Sequence, residues 1–290
     1  MRTPPALPSR SQWSALLERA LAEDIGSGDL TGNLTIPEHA EGRARIETRQ
    51  DLVACGLPLA RETFQRVDPR TACTTETREG ESVTAGNVLM HVHGPLRSIL
   101  AAERVALNFL GRLCGIATWS RRFVEAVRET DAVVVDTRKT TPGWRHLEKY
   151  ATAVGGAHNH RMGLSDGILI KDNHIAACHG VQNAFEKARR GAPPGIPVQV
   201  EVQSEQEAQE AVDAGADFLL LDNFEPEDVE KTVQRVGRHA VLEASGGLTL
   251  ENIGAFARTG VSRLSVGSLT HSAPSADVSL EIEQEGESQQ

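Results

Sequence analysis

Six short, largely apolar segments recur after Asp131, and helix-like segments separate them along the chain. Segments of this length and composition are expected of strands buried on both faces of a parallel sheet. Alternating strands and helices predict right-handed crossovers and an α/β architecture, either open or closed into a barrel. The regular spacing favours a barrel, although six strands are fewer than the eight of a complete one. The predicted strands span 132–136, 167–170, 197–202, 218–221, 240–243 and 263–266.

The chain before this region has a different pattern. Apolar positions at helical spacing predict a first helix, capped by Ser11 and ending near Gly26, and the following residues 26–37 predict a loop. The stretch from Pro95 is strongly helical, and Gly115 predicts a break that divides it into two helices. Between these lie short alternating runs that predict a small structural sandwich with one helix at 62–67. The predicted strands of that sandwich are 43–48, 52–55, 71–77 and 88–93.

Composition and charge exclude several classes of protein. The chain has 30 Lys and Arg residues against 40 Asp and Glu residues, a formal net charge of −10. This acidic balance argues against broad nucleic-acid binding, which requires a basic face. The four cysteines form no C-x-x-C pair, which argues against a zinc ribbon and fits a reducing compartment. No signal peptide and no apolar run near the ~20 residues of a membrane span is evident, so we expect a cytoplasmic protein.

A cationic segment lies within this acidic chain. Residues 136–173 hold six Lys and Arg residues against four Asp and Glu residues, a local balance of +2. Arg138 and Lys139 follow the first predicted strand of the α/β region, and Lys171 follows the second. Cations at the ends of buried strands indicate an anionic ligand, because a desolvated charge requires a partner. Surface ion pairing is the plainer alternative.

The other strand ends are acidic or small. Glu201 and Asp222 end the third and fourth strands, where they suit a hard divalent ion such as magnesium, or sugar hydroxyls. Capping or ion pairing would also explain each of them. The last two strands end in ASGGLT and SVGSLT, whose small residues predict a phosphate site rather than ordinary tight turns. A phosphorylated sugar carrying pyrophosphate fits this set, and Arg138, His160 and Arg161 would bind a carboxylate-rich partner.

The chain resembles the quinolinate phosphoribosyltransferases, also called carboxylating nicotinate-nucleotide pyrophosphorylases. The resemblance covers nearly the whole chain after the first ten residues. The stretches that carry it, in the family's order, are ERVALNFL, DTRKTTPGWR, NHRMGLSDGILIKDNHI, VEVQ, LLLDN, EASGGLT and SVGSLTHS. It implies that quinolinate and phosphoribosyl pyrophosphate give nicotinate mononucleotide, pyrophosphate and carbon dioxide, with substrate-bound Mg²⁺ and no organic cofactor.

The resemblance also implies a fold and a set of residue roles. The expected fold is an N-terminal α/β sandwich domain with an incomplete TIM-like α/β barrel of parallel strands, in a homodimer. The expected segments are a helix at 1–25, the sandwich at 26–115, the barrel at 116–270, and a tail at 271–290 that returns to the N-terminal domain and ends in disorder. Arg104 is expected to come from the partner subunit. Quinolinate would contact Arg104, Thr137, Arg138, Lys139, His160, Arg161 and Lys171.

The remaining implied roles concern the sugar and the chemistry. Glu201 and Asp222 would bind ribose hydroxyls and magnesium, and Lys139 and Lys171 would face the pyrophosphate. These four residues are the predicted catalytic set. The residues expected to hold the ribose phosphate are Ser245, Gly246, Gly247, Val266, Gly267 and Ser268. The alternatives are a related transferase for another aromatic acid, a Schiff-base enzyme using Lys171, and a non-catalytic anion-binding protein.

Overall fold

The computed structural model describes residues 5–283, which form two compact units. The first unit combines the described residues up to Arg121 with Thr141–Gly156 and the described residues from Ala273. The second combines Arg122–Thr140 with Ala157–Ser272. Each unit is therefore built from separate stretches, and residues 141–156, which the sequence assigned to the barrel, belong to the first unit. The physical reason is that Leu147, Tyr150 and other apolar residues of 141–156 belong to the first unit's core.

The elements follow in chain order. From the beginning of the chain they are α1 (Ser14–Ile25), α2 (Leu30–Thr35), β1 (Glu41–Thr48), β2 (Leu52–Val53), α3 (Leu57–Val67), β3 (Ala72–Thr75), β4 (Ser82–Val83), β5 (Val88–Pro95) and α4 (Leu96–Ala126). The middle holds β6 (Val133–Val135), α5 (Arg145–Val154), β7 (Ile168–Ile170), α6 (Asp172–Ala177), α7 (Val181–Gly191), β8 (Val198–Val202) and α8 (Glu205–Asp213). The last are β9 (Phe218–Asp222), α9 (Pro226–Val236), β10 (Val241–Ser245), α10 (Ile253–Arg258), β11 (Arg263–Ser265), α11 (Ser268–His271) and β12 (Val278–Ile282).

The first unit is an antiparallel sheet whose core is shared with helices. Its four strands lie in the order β12-β1-β5-β3, and β2 and β4 form a separate two-stranded sheet. Leu17 of α1, Phe64 of α3 and Leu110 of α4 are all buried in the same core as Ile46 of β1. This confirms the predicted combination of helices and sheet in the N-terminal region. The predicted tail contributes β12, which pairs with β1, and residues 284–290 lie outside the described part.

Two helix predictions in the first unit were wrong. The region 26–37 is not all loop, because Asp29 accepts a hydrogen bond from the Gly32 amide at 3.0 Å and so caps α2. The helix near Gly115 does not break, since α4 runs unbroken for 31 residues. A Cβ at Gly115 would lie 2.0 Å from the Pro274 carbonyl oxygen. The glycine therefore serves the close packing of a distant segment.

The beginning of the first helix also differs from the prediction. A short 3-10 turn at Arg10–Gln12 comes first, and α1 begins at Ser14 without a side-chain cap. Ser11 therefore does not cap α1. The helix ends at Ile25 and is followed by Gly26, as predicted. None of the described helices is both long and apolar enough to cross a lipid bilayer.

The second unit contains the six predicted parallel strands, so this prediction is confirmed. Their order is β6-β11-β10-β9-β8-β7, with β6 and β7 at the two edges. Six parallel strands with helices between them fit an incomplete TIM-like barrel. The central strands are almost wholly buried, yet they include the polar residues Gln199, Glu201 and Glu243. Buried polar side chains require partners, and Glu201 pairs with Lys171 while Glu243 pairs with Arg263.

Candidate active site

A cavity of about 450 Å³ opens in the second unit at the carboxyl ends of its strands. Ligands bind at this end of parallel α/β sheets, because the strand–helix loops converge there. The predicted site residues that line it are Thr137, Arg138, Lys139, His160, Arg161, Lys171, Glu201, Asp222, Ser245, Gly246, Gly247, Gly267 and Ser268. The structure thus brings together residues from all six strand ends. Arg104 instead lies exposed on α4 in the first unit.

Two arginines of the cavity lining are close enough to repel each other. The Arg138 Nε is buried and has no hydrogen-bond partner among the described residues. Arg161 donates from Nη1 to the Gly167 carbonyl oxygen at 2.8 Å. Burial lowers the pKa of Arg161, and the nearby positive charge of Arg138 lowers it further. Two cations that raise each other's energy are stabilised by an anion bound between them.

A buried carboxylate fixes the loop that carries His160 and Arg161. Asp136 is fully buried at the end of β6, and its oxygens accept hydrogen bonds from the His160 amide at 2.8 Å and the Asn159 side chain at 2.6 Å. The Asp136 amide in turn donates to the His158 carbonyl oxygen. These bonds join residues 158–160 to the strand as a one-residue parallel bridge between Val135 and His158. The loop therefore has a defined position at the cavity wall.

The His160 ring contacts protein atoms at both nitrogens. Its Nδ1 accepts a hydrogen bond from the Arg161 amide at 2.8 Å. Its Nε2 lies 3.1 Å from the Gln199 Oε1 and 3.3 Å from the Glu243 Oε1. Because Nδ1 accepts, the neutral ring carries its proton on Nε2 and donates it to these two oxygens. Both ring nitrogens therefore have partners within the protein.

Glu243 is a buried acid that the sequence pattern did not indicate. It has no exposed surface, accepts from the Arg263 Nε at 2.8 Å, and also accepts from the Ser265 hydroxyl. Burial raises the pKa of its carboxyl group, but the hydrogen bonds from His160 and Ser265 and the positive charge of Arg263 lower it. The net pKa lies below the usual range, so Glu243 is ionised.

The acidic side of the cavity is connected to the cationic side. The Lys171 ammonium donates to the Glu201 Oε2 at 2.6 Å, and Glu201 is 8% exposed. Asp222 accepts a hydrogen bond from the Asn223 side chain at 2.9 Å.

Among residues 5–283 no cluster of three or more His, Cys, Asp or Glu side chains could hold a metal ion. Two carboxylates fit a magnesium ion whose other ligands come from a substrate.

The loops after β10 and β11 have the backbone geometry expected of a close approach to a ligand. Gly246 and Gly247 have φ values of +104° and +60°, a region that favours glycine. The Thr270 hydroxyl of α11 donates to the Lys139 carbonyl oxygen at 2.7 Å and joins the last loop to the first. Val266 is different, because its side chain is buried and its amide donates to the Val135 carbonyl oxygen at 2.9 Å. Of the predicted residues in this loop, only Gly267 and Ser268 face the cavity.

Other residues of the cavity wall were also missed by the sequence analysis. Sequence reasoning at the strand ends selected charged and small residues, and it passed over three leucines and three further polar residues. The missed lining residues are the apolar Leu169, Leu220 and Leu248 and the polar Thr249, Ser265 and His271. The alternation of buried strand residues could have indicated Leu169 and Leu220, once the direction of each side chain was known.

Comparisons with known proteins agree with this geometry. The model of the quinolinate phosphoribosyl transferase N-terminal domain matches residues 29–114, and that of the C-terminal domain matches residues 116–281. The chain is 41% identical over 277 residues to a probable nicotinate-nucleotide pyrophosphorylase [carboxylating] of Bacillus subtilis, covering 96% of both chains. It is 40% identical over 274 residues to a nicotinate-nucleotide pyrophosphorylase [carboxylating] of Mycobacterium leprae, covering 92% of this chain and 95% of the relative.

Solved structures give the same result. The nicotinate-nucleotide pyrophosphorylase from Francisella tularensis superposes with a TM-score of 0.93 at 35% identity, covering 98% of this chain and 100% of the other. Both the fold and the sequence are therefore shared along nearly the whole chain. The chain belongs to the quinolinate phosphoribosyl transferase family.

Proposed function

We propose that this chain transfers the phosphoribosyl group of phosphoribosyl pyrophosphate to quinolinate, giving nicotinate mononucleotide, pyrophosphate and carbon dioxide. The reaction belongs to the de novo synthesis of NAD. One observation carries the proposal: a single cavity is lined by four fixed cations, two carboxylates and two glycine-containing loops. The names of the relatives and the family models support the same reaction.

The cationic side suits the two carboxylates of quinolinate. Arg138 has a buried, unsatisfied Nε, and Arg161 is held on the Gly167 carbonyl oxygen beside it. Arginine forks bind a carboxylate through two parallel hydrogen bonds, so a dianion can use both arginines at once. Lys171 and Lys139 add positive charge to the lining of the same cavity. A monoacid leaves part of this charge unpaired and binds less well.

The opposite side suits the phosphoribosyl donor. Glu201 and Asp222 end adjacent strands, so their carboxylates can accept hydrogen bonds from neighbouring ribose hydroxyls. The loops at Ser245–Gly247 and at Gly267–Ser268 expose backbone close to the cavity and can receive the 5-phosphate. Magnesium would be held by the pyrophosphate together with these carboxylates, and it would supply charge neutralisation of the leaving group.

The coupling step needs positioning and charge rather than a protein nucleophile. The quinolinate nitrogen forms a bond to the anomeric carbon while the bond from that carbon to pyrophosphate breaks. Positive charge develops on the sugar, where Glu201 and Asp222 stabilise it, and negative charge on the leaving group, which Lys139 and Lys171 stabilise. Holding both reactants in one cavity removes most of the entropy cost of bringing them together.

Loss of carbon dioxide follows from the coupling. The ring nitrogen is then a pyridinium, so it accepts the electron pair released when the neighbouring carboxylate leaves. A proton then replaces that carboxylate on the ring carbon. An ammonium group near this carbon lowers the energy of the transition state, and both Lys139 and Lys171 line the cavity.

A second copy of the chain is proposed to complete the site. Arg104 is exposed in the first unit and lines a separate hollow of about 500 Å³ with Asn108 and Arg112. The resemblance implies that it reaches the partner's cavity. Mixing Arg104→Ala with Arg161→Ala chains tests this, because only a shared site leaves one cavity of the mixed dimer intact. Recovery of activity in the mixed dimer supports a shared site, and two inactive chains that stay inactive after subunit exchange contradict it.

The cytoplasm stays the predicted compartment.

The proposed reaction is tested with purified protein and quinolinate labelled in the carboxylate beside the ring nitrogen. We expect labelled carbon dioxide only when phosphoribosyl pyrophosphate and Mg²⁺ are both present. Nicotinate, which lacks the second carboxylate, is the matched acceptor. Product from nicotinate but not from quinolinate would instead indicate a related transferase for another aromatic acid.

The Schiff-base alternative is not favoured by the site. Its nucleophile would be Lys171, whose ammonium donates to the Glu201 carboxylate at 2.6 Å. A salt bridge stabilises the protonated amine, whereas a nucleophilic lysine must be neutral. Borohydride trapping with a carbonyl substrate would nevertheless reveal a covalent adduct if this reasoning were wrong.

A further inference from the structure

Glu243 and His160 form a hydrogen-bonded chain that ends at the backbone of Arg161. The Glu243 Oε1 lies 3.3 Å from the His160 Nε2, and the His160 Nδ1 accepts from the Arg161 amide at 2.8 Å. The Arg161 guanidinium then donates to the Gly167 carbonyl oxygen at 2.8 Å. The buried acid, the ring and the arginine backbone are thus connected in sequence. The direction of the His160 ring decides whether the Arg161 amide has its acceptor.

The position of Glu243 is itself fixed by the neighbouring strand. Glu243 of β10 pairs in register with Arg263 of β11, and Ser245 pairs with Ser265. The Arg263 Nε donates to Oε2 at 2.8 Å, and the Ser265 hydroxyl donates to Oε1. Each carboxylate oxygen therefore has a donor besides His160. A fully buried acid held in this way has little freedom to move.

We propose that Glu243 is a positioning residue for the acidic substrate, because it holds the His160 ring in the orientation in which Nδ1 accepts the Arg161 amide. This inference rests on the proposed function, in which Arg161 binds quinolinate. Glu243 acts through His160 and does not touch the substrate. The Gln199 Oε1 is the second acceptor for Nε2 at 3.1 Å, so it supports the same ring orientation.

The chemistry favours this role over direct participation. Glu243 has no exposed surface and is not among the residues that line the cavity. A carboxylate in direct contact with the diacid substrate would repel it and weaken substrate binding. The Glu243 carboxylate is separated from the substrate by His160 and is paired with Arg263, so it does not weaken binding in this way. The carboxylate also selects one form of the ring. An ionised carboxylate can only accept a hydrogen bond, so it favours the proton on Nε2 and leaves Nδ1 as the acceptor of the Arg161 amide.

Kinetics of Glu243→Gln test the proposal. The glutamine keeps the size of the side chain but can turn its amide N–H toward the ring, which removes the preference for one orientation. We expect the quinolinate KM to rise about tenfold, while the KM for phosphoribosyl pyrophosphate stays within about twofold, as for a coupling between residues in contact. Asp68→Asn is the matched control. Asp68 is also a buried acid with an arginine and a serine partner, but it lies in the first unit.

A double-mutant cycle separates positioning from a general loss of structure. If Glu243 acts through His160, then Glu243→Gln has little further effect on the quinolinate KM in a His160→Asn background. Fully additive effects would overturn the proposal. An unchanged quinolinate KM in the single Glu243→Gln variant would overturn it as well. Glu243→Asp, which keeps the carboxylate, should recover part of the loss.

A spectroscopic measurement without substrate keeps the two proposals distinguishable. The ring ¹⁵N signals of His160, assigned by their loss in His160→Asn, should show a protonated Nε2 and a bare Nδ1 in the ligand-free chain. In Glu243→Gln they should indicate a mixture of the two forms. A protonated Nδ1 in the wild-type chain would overturn the positioning role, even for a protein that proves active. Absence of turnover with quinolinate would instead refute the proposed function.

Discussion

Replacement of Gly246 by alanine is the sharpest test of the loop after β10. Gly246 has a φ of +104°, and a Cβ at this position would lie 2.1 Å from the Asn223 Oδ1 and 3.0 Å from the Asn223 Cα. Asn223 cannot simply turn away. Its side chain donates to Asp222 at 2.9 Å, and its amide donates to the Ser245 carbonyl oxygen at 2.8 Å. Relief of the overlap therefore displaces the loop, Asp222, or both.

The magnitude follows from two costs. Placing a residue with a Cβ in the left-handed backbone region costs about 1–2 kcal/mol of conformational free energy. Forcing an extra methyl group into a packed position costs about 1–3 kcal/mol more. The loop relaxes in the free protein, and binding of the ribose phosphate must restore its shape against this combined strain. At about 1.4 kcal/mol for each factor of ten, a strain of about 2 kcal/mol corresponds to roughly a 30-fold increase in KM.

The assay compares the two substrates in the Gly246→Ala variant. We expect the KM for phosphoribosyl pyrophosphate to rise about 30-fold or more, with a smaller change in the KM for quinolinate. Gly260→Ala is the matched control, because Gly260 has a φ of +86° but a Cβ there would meet only the Val233 Cγ1 at 3.4 Å. The Gly260→Ala variant therefore has the same unfavourable backbone conformation, but at a position that does not line the cavity. Equal KM values for phosphoribosyl pyrophosphate in Gly246→Ala and Gly260→Ala would refute the assignment of this loop to the phosphate.

The other predictions concern binding, stability and reactivity. Arg161→Ala should raise the quinolinate KM about 30-fold or more, since loss of one buried charged partner costs about 2–5 kcal/mol, and wild-type affinity would show that Arg161 does not bind quinolinate. Glu201→Gln should raise the KM for phosphoribosyl pyrophosphate and the Mg²⁺ concentration needed for half-maximal rate; unchanged values would remove Glu201 from the sugar side. Hydrogen bonds from Arg70 hold the pKa of Asp68 well below its usual range, so its contribution to the free energy of unfolding is present above about pH 4 and shrinks in more acid solution. Urea unfolding should therefore show a larger difference between wild type and Asp68→Asn at neutral pH than near pH 3, and a difference independent of pH would contradict this. Burial raises the pKa of Cys114 to about 12, so this thiol should not react with a thiol reagent at neutral pH until the chain unfolds.

The strands of the second unit could be predicted from the sequence because their signal is local. A strand buried on both faces is apolar over its whole length, and that pattern is visible without knowledge of its neighbours. The continuity of α4 could not be predicted in this way. Gly115 has the appearance of a helix break, but its function depends on Pro274, which is far away in the sequence. Contacts over such a distance leave no trace in the local pattern.

The same distinction applies to the candidate site. Arg138, Lys171 and Asp222 could be found because each follows a recognisable strand and faces the common end of the sheet. Glu243 could not, because it lies within the predicted strand 240–243, where its local context indicates only a buried position. Its role depends on Arg263, which is opposite it on the neighbouring strand. That pairing cannot be recognised until the strand order is known. Sequence therefore reveals the residues that face the ligand better than those that hold them in place.

The charge of the cavity depends on how its two sides are joined. Four fixed cations line it against two carboxylates, so an acidic chain of net charge −10 still presents a locally positive site to anionic substrates. Charges beyond about 8–10 Å are largely screened at physiological salt, so the local balance matters more than the total. Lys171 is the exception among these cations, since Glu201 already neutralises it at 2.6 Å. Arg138 and Arg161 consequently carry most of the charge available to an incoming acid, whereas Lys171 becomes fully available only when Glu201 has taken another partner.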